Sequence, residues 1–127
     1  MRQARPLPQV YAEYLAAFND ADLDGVARHL TDDVVFDWGE VMPPLIGRNA
    51  FVDFYAEAWR HFEETITASD VSADETALTA WIDNRIQVFR DWPTCPIQPM
   101  TVGPPFVVSG RMAYRFDGDR IAFIGEI

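Results

Sequence analysis

An α+β domain follows from three features of the chain. Helical apolar spacing is confined to the first half, the period switches to two after Glu64, and 127 residues with 49% hydrophobic content suit a single core. Helices first and a strand meander afterwards predict one curved, mostly antiparallel sheet wrapped over three N-terminal helices.

Residues 1–8 read as a loose N-terminal arm. Tyr11, Leu15 and Phe18 recur at i, i+4 and i+7, with Val10, Tyr14 and Ala17 beside them, so the first helix follows. Asn19-Asp20-Ala21-Asp22 interrupts it, and Asp22 caps a short second helix over 23–30. Residues 33–39 are β-branched and aromatic, a strand. Pro43-Pro44 and Gly47 break the chain before a third helix, where Phe51, Phe54, Tyr55, Ala58, Trp59 and Phe62 form a wide apolar stripe. Strands follow at 65–72 and 76–90. In the second of these, Leu78, Ala80, Ile82, Ile86 and Val88 face one side; Thr79, Trp81, Asp83, Arg85 and Gln87 face the other. Five of the nine prolines fall in 91–105, which predicts a stiff irregular loop. Strands over 106–116 and 120–126 flank the turn Asp117-Gly118-Asp119.

Composition removes several function classes. The single Cys95 forms no intrachain disulfide, and two histidines make the chain poor in zinc ligands. All ten basic residues are arginine, so lysine Schiff-base chemistry is excluded. A formal charge of −10 repels phosphate backbones, against a nucleic-acid partner. The start has no apolar h-region and no run reaches the ~18 residues of a membrane span, so the expected location is cytoplasmic. No phosphate loop or Ser–His–Asp set is present, and neither cofactor nor metal is expected.

Tyr14-Leu15-Ala16-Ala17-Phe18-Asn19, Asp22-Leu23-Asp24-Gly25 and Asp32-Asp33-Val34-Val35-Phe36 resemble the opening of the nuclear transport factor 2-like superfamily. Gly47-Arg48 and the stretch from Tyr114 to Ile121 fit the same pattern. The likeness runs over about residues 9–126 and is nearest to ketosteroid isomerases, SnoaL-like polyketide cyclases and limonene epoxide hydrolases. It implies a cone of curved sheet closed by helices around a deep pocket, and a homodimer formed through the outer sheet face, where Trp81 and Arg85 would anchor it. By that resemblance Tyr14 stands at the isomerase oxyanion tyrosine. Trp38 and Met112 replace its two carboxyl groups, which argues against an authentic ketosteroid isomerase. Glu126 aligns with the epoxide-hydrolase last-strand carboxylate, while the Arg-x-Asp of that family becomes Arg85-x-Gln87.

Strand phase adds candidates of its own. Asn84 is the one polar interruption on the apolar face of 76–90, and a buried amide there serves either a backbone or a ligand. Glu126 shares a face with Ala122 and Ile124, so a pocket on that side would desolvate it into a general acid or base. Tyr14, on the buried side of its helix, needs a hydrogen-bond partner. Glu126, Tyr14 and Asn84 are therefore the predicted catalytic residues. Trp38, Tyr55, Trp59, Met112 and Tyr114 form the predicted apolar wall. The expected function is cofactor-independent proton transfer (isomerisation, cyclisation, dehydration or hydrolysis) on an apolar oxygenated small molecule. The rival is a carrier or sensor, or a homodimeric assembly module.

Overall fold

The computed structural model describes residues 5–127. Its elements are α1 (Leu7–Asn19), α2 (Leu23–Arg28), β1 (Leu30–Asp37), β2 (Leu45–Ile46), α3 (Arg48–Ala58), β3 (Phe62–Ala73), β4 (Ala77–Val88), β5 (Phe106–Asp117) and β6 (Arg120–Glu126). They make one six-stranded sheet in the order β2-β1-β6-β5-β4-β3. Every neighbouring pair is antiparallel except β1 and β6, which run parallel. Register shifts in β1, β3 and β5 bend the strands, as bulges do, and the three helices cover the inner face.

Local chemistry explains the boundaries. The expected arm falls in part on residues 1–4, outside the described residues. From Leu7 the chain is already helical and Leu7 is buried, because Pro6 and Pro8 sit where a helix start lacks N–H partners anyway. Asp22 caps α2 by accepting from the Gly25 N–H at 3.0 Å. That helix stops at Arg28, two residues earlier than its spacing predicts, since Leu30 pairs with Ile121 and opens β1. The third helix is also shorter than its stripe. It ends at Ala58, Trp59 caps it, and Phe62 begins β3, so that strand starts three residues before the expected one. At the last hairpin Asp117 pairs with Arg120 across a two-residue turn, and Gly118 takes φ +62°, which glycine adopts without a Cβ clash.

The core lies between sheet and helices. Tyr11, Phe51, Leu30, Leu78, Ile121 and Ile124 are among its largest fully buried side chains. Helix α1 is tied to the edge strand by one side chain. Asn19 donates from Nδ2 to the Ile66 carbonyl at 3.0 Å, and its Oδ1 accepts from the Ile66 N–H at 2.8 Å. The amide thus completes the edge of β3 as a neighbouring strand would. We expect Asn19→Ala to cost about 1–3 kcal/mol, because both Ile66 backbone groups lose their partner. A urea midpoint that did not fall would show that this tie contributes nothing.

Strand β5 shows where the helices stop. Met112, Tyr114 and Phe116 are buried on its inner face, whereas Phe106 and Val108 on the same face are exposed. The uncovered end of that face opens a cavity. The proline-rich segment 91–105 crosses this end, anchored by buried Trp92, Cys95 and Met100, with Trp92 and Met100 bonded backbone to backbone.

Candidate functional site

The cavity holds about 220 Å³ and draws its wall from every layer of the fold. Tyr14 and Phe18 come from α1, Phe36 and Trp38 from β1 and the residue following it, and Phe54 and Tyr55 from α3. Ile66, Ile82 and Ile86 line it from β3 and β4, Met112 and Tyr114 from β5, and Ile124 from β6. Ile97, Gln98 and Met100 reach it from the segment 91–105, so that segment forms part of the wall.

One ionisable group interrupts this surface from within. Glu64, on β3, is 9% exposed and is the one charged residue type in the buried core of the described residues. Its two oxygens are held separately. Trp59 Nε1–H donates to Oε1 at 2.9 Å and Asn84 Nδ2–H donates to Oε2 at 2.8 Å. Burial drives its pKa above the ordinary carboxylate value, and the hydrogen bonds from Asn84 and Trp59 only partly oppose that. Phenols surround it. Burial, helped by neighbours that include Glu64, pushes Tyr14 and Tyr55 up, so both stay protonated and remain donors. Tyr114 is raised by burial and by its tyrosine neighbours, and accepts a hydrogen bond from the Tyr11 hydroxyl at 3.0 Å.

Two buried polar atoms on the cavity wall have no protein partner, Trp38 Nε1 and Asn84 Oδ1. Asn84 cannot turn to use its free oxygen without releasing Glu64. Both atoms are closed off from the cavity surface, so what the wall presents to a ligand is the hydroxyls of Tyr14 and Tyr55 and the remaining lone pairs of the Glu64 carboxylate.

The predicted residues distribute as follows. Tyr14, Asn84, Trp38, Tyr55, Met112 and Tyr114 all line the cavity. Asn84 bonds directly to Glu64, and Tyr14 and Tyr55 lie within the field of its charge. Glu126 also lines the cavity, but from an exposed position at the end of β6, paired in register with Met112. Trp59 stands outside the wall. It contacts Glu64 from behind and borders a second, surface hollow with Asn19, Asp20 and Thr65. On the outer sheet face Trp81 is 38% exposed beside exposed Arg85. Asp83 accepts from Trp81 Nε1 and from Ser109 Oγ, in place of the Arg85 pairing expected from their shared face.

Sequence reasoning passed over Glu64. The helical stripe runs on to Phe62 and leaves Glu64 as a residue after a helix. Read as a strand from Phe62, the alternation Phe62, Glu64, Ile66, Ala68 puts the carboxylate on the inner face. Among the described residues no group of three His, Cys, Asp or Glu side chains is placed to hold a metal, and no helix is long and apolar enough to cross a membrane.

Residues 11–124 match the family described as the SnoaL-like domain. Solved structures share the fold. A proposed polyketide cyclase from Pseudomonas putida superposes with a TM-score of 0.80 at 20% identity, over 97% of this chain and 91% of that one. An epoxide hydrolase of Mycobacterium tuberculosis, similar to limonene epoxide hydrolase, gives 0.74 at 15% identity over 93% and 78%. A second Mycobacterium tuberculosis protein, solved with estradiol-17β-hemisuccinate, gives 0.75 at 16% over 98% and 93%. No curated protein matches in sequence.

Proposed function

The chain belongs to the SnoaL-like domain family, and from that premise we propose that it binds a largely apolar small molecule in its cavity and moves a proton at that molecule through Glu64. The observation that carries this reading is the Glu64 carboxylate itself, buried in an apolar wall and gripped by one N–H on each oxygen. A buried carboxylate with no cation beside it lowers the stability of the fold, so its presence in a cavity points to chemistry. Burial also raises its basicity toward the range in which a carboxyl group both takes and returns a proton at neutral pH.

The other wall residues then have roles. Trp59 and Asn84 hold the carboxylate in one orientation, leaving a lone pair on each oxygen for the ligand. The protonated phenols of Tyr14 and Tyr55 polarise the ligand, while Trp38, Met112 and Tyr114 supply apolar contact. Glu126 meets the ligand at the rim. The similarity to a proposed polyketide cyclase, to an epoxide hydrolase and to a protein solved with a steroid ester supports a small organic molecule as the ligand.

The test has two readouts. Carboxyl-carbon NMR of the protein, assigned with Glu64→Gln, should show Glu64 titrating clearly above its usual value of about 4.3. In deuterated water the protein should catalyse hydrogen exchange at carbon in a panel of cyclic ketones, enones and cyclic imines. A Glu64 that titrates in the ordinary range removes the acid–base group. Probe binding without exchange turns the reading to a carrier.

A further inference from the structure

The cavity is asymmetric in charge. Among the described residues no arginine and neither histidine lines it, the chain has no lysine, and the carboxyl residues of the lining are Glu64 deep in the wall and Glu126 at the rim. Neither carboxylate forms an ion pair among the described residues. The other polar side chains of the lining, Tyr14, Tyr55 and Gln98 among them, are neutral. Glu64 keeps lone pairs beyond those that Trp59 and Asn84 occupy. The rings of Tyr14, Phe18 and Tyr55 add aromatic faces to the same cavity.

Such a surface discriminates by charge. An anionic ligand would bring a like charge into a region of low dielectric, under the field of a protein of formal charge −10. A neutral hydroxyl would hydrogen-bond Glu64 but leave its charge uncompensated. A cationic N–H donor bonds the carboxylate and compensates it, and aromatic faces favour it further. We propose that the ligand is a lipophilic nitrogen cation, a protonated cyclic amine or imine, whose N–H donates to Glu64 while its apolar body fills the cavity. This rests on the reading of the cavity as the ligand site and names the class it takes.

The same pairing suits proton transfer. With a protonated imine, Glu64 removes a proton from the carbon next to C=N. The C–H electron pair becomes the new C=C bond, and the C=N π pair returns to nitrogen as a lone pair. A cation and a carboxylate become a neutral enamine and a neutral acid, and a cavity poor in water favours that neutralisation.

Three probes of one shape test the proposal: 2-aminotetralin, protonated at neutral pH; 2-tetralol, neutral; and tetralin-2-carboxylate, anionic. Binding is measured by calorimetry at pH 7.5 on the wild-type chain and on Glu64→Gln. The amine is expected to bind at least tenfold more tightly than the alcohol, and the acid not at all. Glu64→Gln should bring the amine down to the affinity that the alcohol shows on the same variant. On the wild-type chain the amine should bind more tightly as pH rises through the titration of Glu64, a readout that needs no variant. Alcohol binding equal to or better than amine binding overturns the choice of a cation and leaves the cavity reading standing. So does an amine preference that survives Glu64→Gln. If none of the three binds, the cavity reading falls with the proposal.

Discussion

Replacing Glu64 with glutamine is expected to cut proton transfer by about 10²–10⁴-fold, the usual contribution of a positioned acid–base group, without unfolding the chain. Glutamine keeps the shape and one acceptor oxygen but has no proton to exchange. It presents an N–H₂ to one of two donors that now meet carboxylate oxygens, Trp59 Nε1 and Asn84 Nδ2. Asn84 can answer by turning its amide, because its Oδ1 has no partner to lose. Stability should respond with a definite sign. The folded chain binds the Glu64 proton more tightly than the unfolded chain does, since burial raises the folded value. Between the ordinary carboxylate value and that raised value the native state therefore holds more protons, and this group makes stability fall as pH rises. Below the window its contribution is level; above it the full cost of burying the charge is present. Glu64→Gln removes the dependence, so the variant should gain on the wild type as pH increases. Urea unfolding of both chains across pH 4–8 measures the difference. A variant that lost stability relative to the wild type with rising pH would contradict a buried, uncompensated carboxylate.

Phe51→Ala is expected to cost about 3–5 kcal/mol, a large part of the roughly 5–15 kcal/mol that holds a domain of this kind together. Phe51 is fully buried, with its ring 5.6 Å from that of Phe36 and 4.8 Å from that of Tyr55. It joins α3 to β1, the contact that carries Tyr55 to the cavity. Removing the ring leaves a void that neighbours held in a sheet and a helix fill only in part. Phe51→Leu, which keeps most of the volume, should lose much less. Urea midpoints of the two variants decide this. A loss below about 1 kcal/mol for alanine would mean that α3 settles into the gap, contrary to close packing.

The sequence made the fold legible where one period dominated a whole element. Tyr11, Leu15 and Phe18 mark α1, and the alternation from Leu78 to Val88 marks β4 with both faces correctly assigned. Legibility failed where two periods overlap. Phe62 fits the helical stripe of α3 and also the strand rhythm of β3, and local spacing cannot choose between them. The choice is made by pairing, since Phe62 lies opposite Val88. Trp59 and Glu64, five residues apart, thereby become a helix cap and an inward strand position that face each other. The two-residue β2 left no periodic trace. It exists because Leu45 and Ile46 pair with Phe36 and Val35. Glu126 drew attention because it lies on a recognisable strand face, but the same alternation says nothing of depth. The sheet bends so that the end of β6 meets solvent.

The parallel pairing of β1 with β6 imposes an order of assembly. A ribosome delivers Leu30 long before Ile121, its partner across the sheet. However soon the helices form and β2 pairs with one edge of β1, Val35 and Phe36 have no neighbour on the other edge until the β5–β6 hairpin arrives. Closing so long a loop is slow, and the waiting strand exposes a β-branched edge meanwhile. The element that finishes one wall of the cavity is therefore also the one whose late arrival leaves the nascent chain open to chaperones and to other unfinished copies of itself.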